Sequence, residues 1–211
     1  MKENKIKWTS YQKFWSSLIP NKTIQKLNLN KTDLSDRVIE KMGLYLEQQD
    51  ISLLDLDLSR NFISDEGIKV LSKSLMANKT LKYLNLRHNR IREDGYKIFS
   101  EYLSENKTLE ELSLSENAIS NEGIKHLSKF LPHNRTLRML EMVKCQLTDQ
   151  GFGEFGKAMA DNKGIQSLDI SRNKEISDDG SLINLVNSLT KNQSLNKIIL
   201  NGLHIRKPFC K

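Results

Sequence analysis

The sequence predicts an α/β solenoid of seven stacked strand-plus-helix units, and three observations point to it. An apolar pattern LxxLxLxxNxI recurs with openings at Ile24, Leu53, Leu81, Leu109, Leu137, Ile165 and Leu195, spaced 29, 28, 28, 28, 28 and 30 residues apart. A fixed period of this length marks a repeat architecture, in which each unit is one small element that buries its apolar side only by stacking on its neighbours. Within each unit, a short stretch alternates with period two, as a strand must, and a longer one places apolar residues at helical spacing. Composition agrees: 211 residues, 37% hydrophobic and 28% charged with 3 prolines, exclude the collagen-like, disordered and membrane-spanning classes.

The elements follow in chain order. Trp8, Tyr11, Phe14, Trp15 and Leu18 recur at helical spacing, so residues 1–23 are expected to form an amphipathic cap over the first strand, with a docking helix for a partner as the alternative. Strand cores lie at Leu56/Leu58, Leu84/Leu86, Leu112/Leu114, Leu140/Met142 and Leu168/Ile170. Behind them Ser35, Ser64, Ser120, Thr148 and Ser177 are expected to cap helices, with Asp65, Glu66, Glu122, Asp149 and Asp178 at the positive helix ends. The helical stripes are Ile68/Leu71/Leu75, Tyr96/Phe99/Leu103, Ile124/Leu127/Leu131 and Phe152/Phe155/Met159, read as core. Gly67, Gly95, Gly123, Gly151 and Gly180 open the helices at one phase, where a side chain would crowd the next unit. Helices end at Asn78, Asn106, Asn134, Asn162 and Asn192.

These phases and asparagines resemble the leucine-rich repeat, and the 28-residue period with a full helix per unit is similar to its ribonuclease-inhibitor-like subclass. The resemblance covers residues 24–205 and implies a horseshoe, with parallel strands on the concave face and helices on the convex face. It implies that Asn61, Asn89, Asn117 and Asn173 form a ladder of side chains serving buried backbone groups, with Cys145 as a buried filler in the same position. Thr32 and Val38 depart from the pattern in the first unit. The sixth unit carries two extra residues, one before Ile176 and one between Gly180 and Leu182, so a bulge is expected at its strand's carboxyl end. The last unit has a strand but no helix after it. Either Leu203 to Lys211 covers it or a partner does, and residues 206–211 read as a basic tail.

Charge narrows function. The net charge of +7 sits at the ends: residues 1–23 carry five lysines against Glu3, and residues 201–211 carry Arg206, Lys207 and Lys211 without an acid. The 177 residues between balance at 25 bases and 25 acids. No nucleic-acid groove is expected; the charge of the termini reads first as solubilising, with contact to acidic surfaces through those basic termini as the alternative. Cys145 and Cys210 are too few for a disulfide framework, and no leader or membrane span is read, so a cytoplasmic protein is expected. The six Asn-x-Ser/Thr triplets are by-products of the helix-to-strand turn. No catalytic residue, metal site or cofactor is expected, since His88, His126, His133 and His204 fall at unrelated phases and no glycine-rich phosphate loop occurs.

Function therefore rests on the outward strand positions. Asp55, Asp57, Glu111, Glu141 and Asp169 make the hollow mildly acidic, while Tyr83, Arg87 and Met139 add the side-chain types that anchor interfaces. These eight residues are expected to bind a protein partner, one with a basic segment, across strands two to five with Asp169 on the strand beyond. Lys79, Lys107, Arg135, Lys163 and Lys191 line the opposite rim, where helix-dipole compensation accounts for them. Two rival readings are a structural subunit of a cytoskeletal or ciliary (axonemal) assembly and, by the family resemblance, an activator similar to that of the nuclear-transport GTPase.

Overall fold

The computed structural model describes residues 8–48, 50–177 and 181–203. Its elements run α1 (Trp8–Leu18), β1 (Lys26–Asn28), α2 (Asp36–Leu46), β2 (Asp55–Asp57), α3 (Asp65–Ala77), β3 (Tyr83–Asn85), α4 (Glu93–Glu105) and β4 (Glu111–Ser113), then α5 (Asn121–Ser128), β5 (Met139–Glu141), α6 (Asp149–Ala158), β6 (Ser167–Asp169), α7 (Ser181–Leu189) and β7 (Lys197–Ile199). The seven strands form one parallel sheet in chain order. Its register follows the repeat: Leu56 pairs with Leu84, Leu84 with Leu112, Leu112 with Leu140, and Leu140 with Leu168. Each strand is three residues long, so the middle leucine points into the core and its two neighbours point out.

Between sheet and helices lies one continuous apolar core in which each unit's leucines meet the helical stripe, and Tyr96, Phe99, Phe130, Phe152 and Phe155 are its largest members in the later units. At the amino-terminal end, α1 turns Tyr11, Trp15 and Leu18 inward against α2, with Trp15 and Tyr45 ring centroids 5.9 Å apart. Phe14 of the expected stripe instead lies partly exposed, edge-on to Trp15. Among the described residues no helix is long and apolar enough to cross a membrane.

Two rows of asparagines hold the units together. Asn61 Oδ1 accepts from the backbone N–H groups of Thr32 and Leu34, while Nδ2 donates to the carbonyls of Leu29 and Leu58. Asn89 and Asn117 continue the ladder in the next two units and Asn173 two units beyond, each accepting from a backbone N–H of the unit before it and donating to a carbonyl of that unit. At the other end of each unit, Asn134 Oδ1 accepts from Thr136 and Leu137, and its Nδ2 donates to the Leu103 carbonyl, as Asn162 and Asn192 do in turn. Asn78, Asn106, Asn134 and Asn192 are buried, so the triplets that begin at them are structural in the folded chain.

Cys145 occupies the ladder position of its unit and is fully buried, with its thiol donating weakly to the Leu114 carbonyl at 3.4 Å. Burial pushes the thiol up to about 12. The ladder leaves a further trace in the backbone. Lys31, Arg60, His88, Glu116, Lys144 and Arg172, each just before a ladder residue, have φ between 54° and 59°. A second left-handed residue follows only where the ladder residue is not asparagine, at Asp33 after Thr32 and Gln146 after Cys145. A hydroxyl or thiol has one hydrogen to donate where an amide has two, so it ties the loop at fewer points.

The helix starts correct one expectation. Ser120 and Thr148 cap their own helices by accepting from Gly123 and Gly151, but Ser35 and Ser64 make no such bond. The Ser64 hydroxyl donates instead to Asp36, which also accepts from the Ser64 N–H, and Ser177 meets Asp149 in the same way. Asp65 accepts from the Arg92 N–H. The acid at a helix start thus joins consecutive units, because the next unit's unpaired N–H is the nearest donor. The glycine two positions on has the reason expected: a Cβ on Gly123 would lie 2.9 Å from the Tyr96 ring, and one on Gly151 would lie 2.6 Å from Ile124. Asp178, Gly180 and residues 204–211, including His204, Cys210 and the basic tail, lie outside the described residues, as do Lys2, Glu3, Lys5 and Lys7. The insertion before Ile176 leaves Lys174 and Glu175 exposed and Ile176 buried, with Glu175 bridged to Thr148.

Candidate functional site

The outward strand residues form two aligned rows. In the first, register places Asp55, Tyr83, Glu111 and Met139 side by side on β2 to β5, with Ser167 and Lys197 beyond them. In the second, Asp57, Asn85, Ser113, Glu141 and Asp169 follow on β2 to β6. Neighbouring strands lie about 4.8 Å apart, so Asp55 and Glu111 are separated by about 10 Å with the Tyr83 ring between them. Asp55, Tyr83, Glu111, Met139 and Glu141 line a shallow depression of about 240 Å³.

Glu111 stands at the centre. Partial burial and then the carboxylates of Glu141, Glu110 and Asp55 hold its proton above the usual carboxylate range. Lys26 reaches Asp55 at 3.5 Å, and Lys82 binds Glu110 at 2.8 Å. A larger groove of about 790 Å³ opens between the starts of α3 and α4, but its acids Asp65, Glu66, Asp94 and Glu101 are matched by Lys69, Arg90, Arg92 and Lys97.

Three of the eight sequence-derived residues are tied up locally. Arg87 donates to Glu116 at 2.8 Å, and His88 Nδ1 lies 3.0 Å from the other Glu116 oxygen. Glu116 is consequently lowered: burial opposes its charge, but the Arg87 and His88 contacts outweigh it. Asp57 Oδ1 accepts from the backbone and hydroxyl of Ser59, and Asp169 Oδ1 from the Ser171 N–H. Two residues past the end of the strand the backbone N–H needs an acceptor, and in β2 and β6 the carboxylate two positions before it supplies one, as the Asn28 and Asn85 amides do in β1 and β3. Periodicity placed the eight residues on one face but carried no sign of these local bonds. It also passed over Glu116 and His88, which lie one position past the alternating strand pattern. Among the described residues, no group of three or more His, Cys, Asp or Glu is placed to hold a metal ion.

The family model described as Leucine Rich repeat matches residues 49–72, 77–97, 105–128, 133–153 and 162–180, together more than half of the chain. The chain belongs to the leucine-rich repeat family. Human NLR family CARD domain-containing protein 3 is similar to it, at 34% identity over 61 residues, which are 29% of this chain and 6% of that protein. The chain therefore matches only a small part of that relative's length. Among solved structures, the leucine-rich repeat fold is shared with Leiomodin-1 Actin-Binding Site 2, at TM-score 0.55 and 21% identity over 64% of this chain and 79% of that one. Pollen Receptor Kinase 3 gives TM-score 0.46 and 18% identity over 90% of this chain and 79% of that one.

Proposed function

We propose that this chain is a non-catalytic interaction module whose concave face binds a partner protein through a basic segment. The depression lined by Asp55, Tyr83, Glu111, Met139 and Glu141 is the centre, and Asp57, Asp169 and Arg87 border it. One observation carries the reading: Glu111 lies partly buried in one depression with Asp55 and Glu141, so that burial first and like charges second raise its proton affinity, an arrangement unfavourable in the free chain and relieved by an incoming cation. Tyr83 and Met139 alternate with the acids and offer apolar surface to the stem of a lysine or arginine. The titratable groups of the face contain no nucleophile beside a base, which is why binding rather than bond-making is proposed. The actin-binding name of the leiomodin structure concerns that protein, since 21% identity reaches the fold alone.

The test uses a fluorescein-labelled ten-lysine peptide. Anisotropy is expected to show salt-sensitive binding that weakens tenfold or more in the combined variant Asp55→Lys, Glu111→Lys, Glu141→Lys. Equal affinity of parent and variant for the peptide, with both folded by circular dichroism, refutes the proposal.

A further inference from the structure

The six left-handed residues before the ladder form a row of their own along the carboxyl ends of the strands. It reads Lys31, Arg60, His88, Glu116, Lys144 and Arg172, one per unit. Backbone bonds fix its spacing: the N–H of Arg60 bonds Arg87, that of His88 bonds Ser115, that of Lys144 bonds Ser171, and that of Arg172 bonds Asn201, all between 2.7 and 2.9 Å. A left-handed φ favours glycine, or asparagine among residues with a side chain, yet none of the six positions carries either. Four are lysine or arginine. Local structure does not call for these side chains, so a reason for them lies outside the loop.

The row has two cationic wings. Its one acid, Glu116, is paired with Arg87 at 2.8 Å and lies 3.0 Å from His88 Nδ1, with the Lys144 charge also acting on it. Arg60, Lys144 and Arg172 are exposed, and none forms an ion pair within 4 Å among the described residues. Acids border the row on both sides: the second outward row, with Asp57, Glu141 and Asp169, lies inside it, and the helix-start acids lie outside it. A broad polyanion laid over this edge would meet those acids, whereas a single extended chain fits between them. Base-stacking aromatics are sparse as well: Phe62 at this edge is partly exposed and already carries Arg90 over its ring, 4.4 Å from the ring centre.

We propose that Arg60, Lys144 and Arg172 bind an acidic, extended segment of a partner protein along the carboxyl edge of the sheet. This surface is distinct from the acidic depression and takes ligand of opposite charge. With rungs about 4.8 Å apart and about 3.3 Å per extended residue, acids four residues apart reach from Arg60 to Lys144, and one or two residues more reach Arg172.

The full-length chain is titrated against a fluorescein-labelled ten-glutamate peptide and, separately, the ten-lysine peptide. In the combined variant Arg60→Gly, Lys144→Gly, Arg172→Gly, glycine suits the left-handed backbone, so thermal stability is expected to hold or rise while ten-glutamate affinity falls tenfold or more. Ten-lysine binding, which reports on the acidic depression, is expected not to weaken. Retention of ten-glutamate affinity in the variant overturns the proposal. So does tighter binding of a ten-nucleotide single strand than of the ten-glutamate peptide by the parent. Should the glycine variant lose stability, the combined substitution to glutamine decides the matter by the same affinity ratio.

Discussion

Replacing Asn173 with alanine tests the ladder at the point where it carries most. The side chain is fully buried; its Oδ1 accepts from the N–H of Cys145 at 2.7 Å and of Leu147 at 3.2 Å, and its Nδ2 donates to the carbonyls of Met142 and Ile170 at 2.8 and 2.7 Å. Alanine leaves two backbone donors without acceptors inside the solenoid. At about 1–3 kcal/mol for each orphaned donor, the loss comes to about 4 kcal/mol. With a urea slope of about 2–3 kcal/mol per molar for a chain of this size, the midpoint falls by about 1.5 M. Far-UV circular dichroism reads the whole solenoid, whereas tryptophan fluorescence reads the opposite end, since Trp8 and Trp15 both lie in α1. If neighbouring units couple only pairwise, the fluorescence midpoint shifts less than the circular dichroism midpoint. The converse substitution, Cys145→Asn, places a ladder amide beside the Asn117 N–H, which here makes a long 3.4 Å bond to the Leu114 carbonyl, and is expected to raise the midpoint. A loss in Asn173→Ala below about 1 kcal/mol would refute the ladder argument, because it would mean that the two donors find other acceptors at no cost.

Two further outcomes follow from the same packing. Gly123→Ala drives a methyl into the Tyr96 ring of the preceding unit and is expected to cost about 1–3 kcal/mol, read as a lowered Tm, with part of the loss recovered when Tyr96→Leu is added. In a Cys210→Ser background the Cys145 thiol, held up to about 12 by burial against an ordinary value of 9.0, is expected to stay unreactive toward an aromatic disulfide reagent at pH 8 until urea unfolds the chain. Because the folded value is the higher one, the stability linked to this thiol is whole below pH 9 and is lost as pH rises toward 12. The urea midpoint should therefore fall more steeply over that range than it does in Cys145→Ala.

The period alone determined the architecture. Once Leu56, Leu84, Leu112, Leu140 and Leu168 recur at 28 residues, stacking is the one way to bury all of them, and it brings Asp55, Tyr83, Glu111 and Met139 into one row as a consequence. The stripe Phe152/Phe155/Met159 and the small residue at Gly123 were legible for the same reason, since core and crowding repeat with the unit. What the sequence could not settle is how each polar side chain spends its hydrogen bonds. Ser64 serves Asp36 rather than its own helix, Asp57 turns to Ser59, and Arg87 is held by Glu116. Those choices depend on distances of a few ångströms between units 28 residues apart, and only the stacked chain sets them. The left-handed row at Arg60, Lys144 and Arg172 belongs to the same class, because a backbone angle at a strand's end leaves no mark in an apolar pattern.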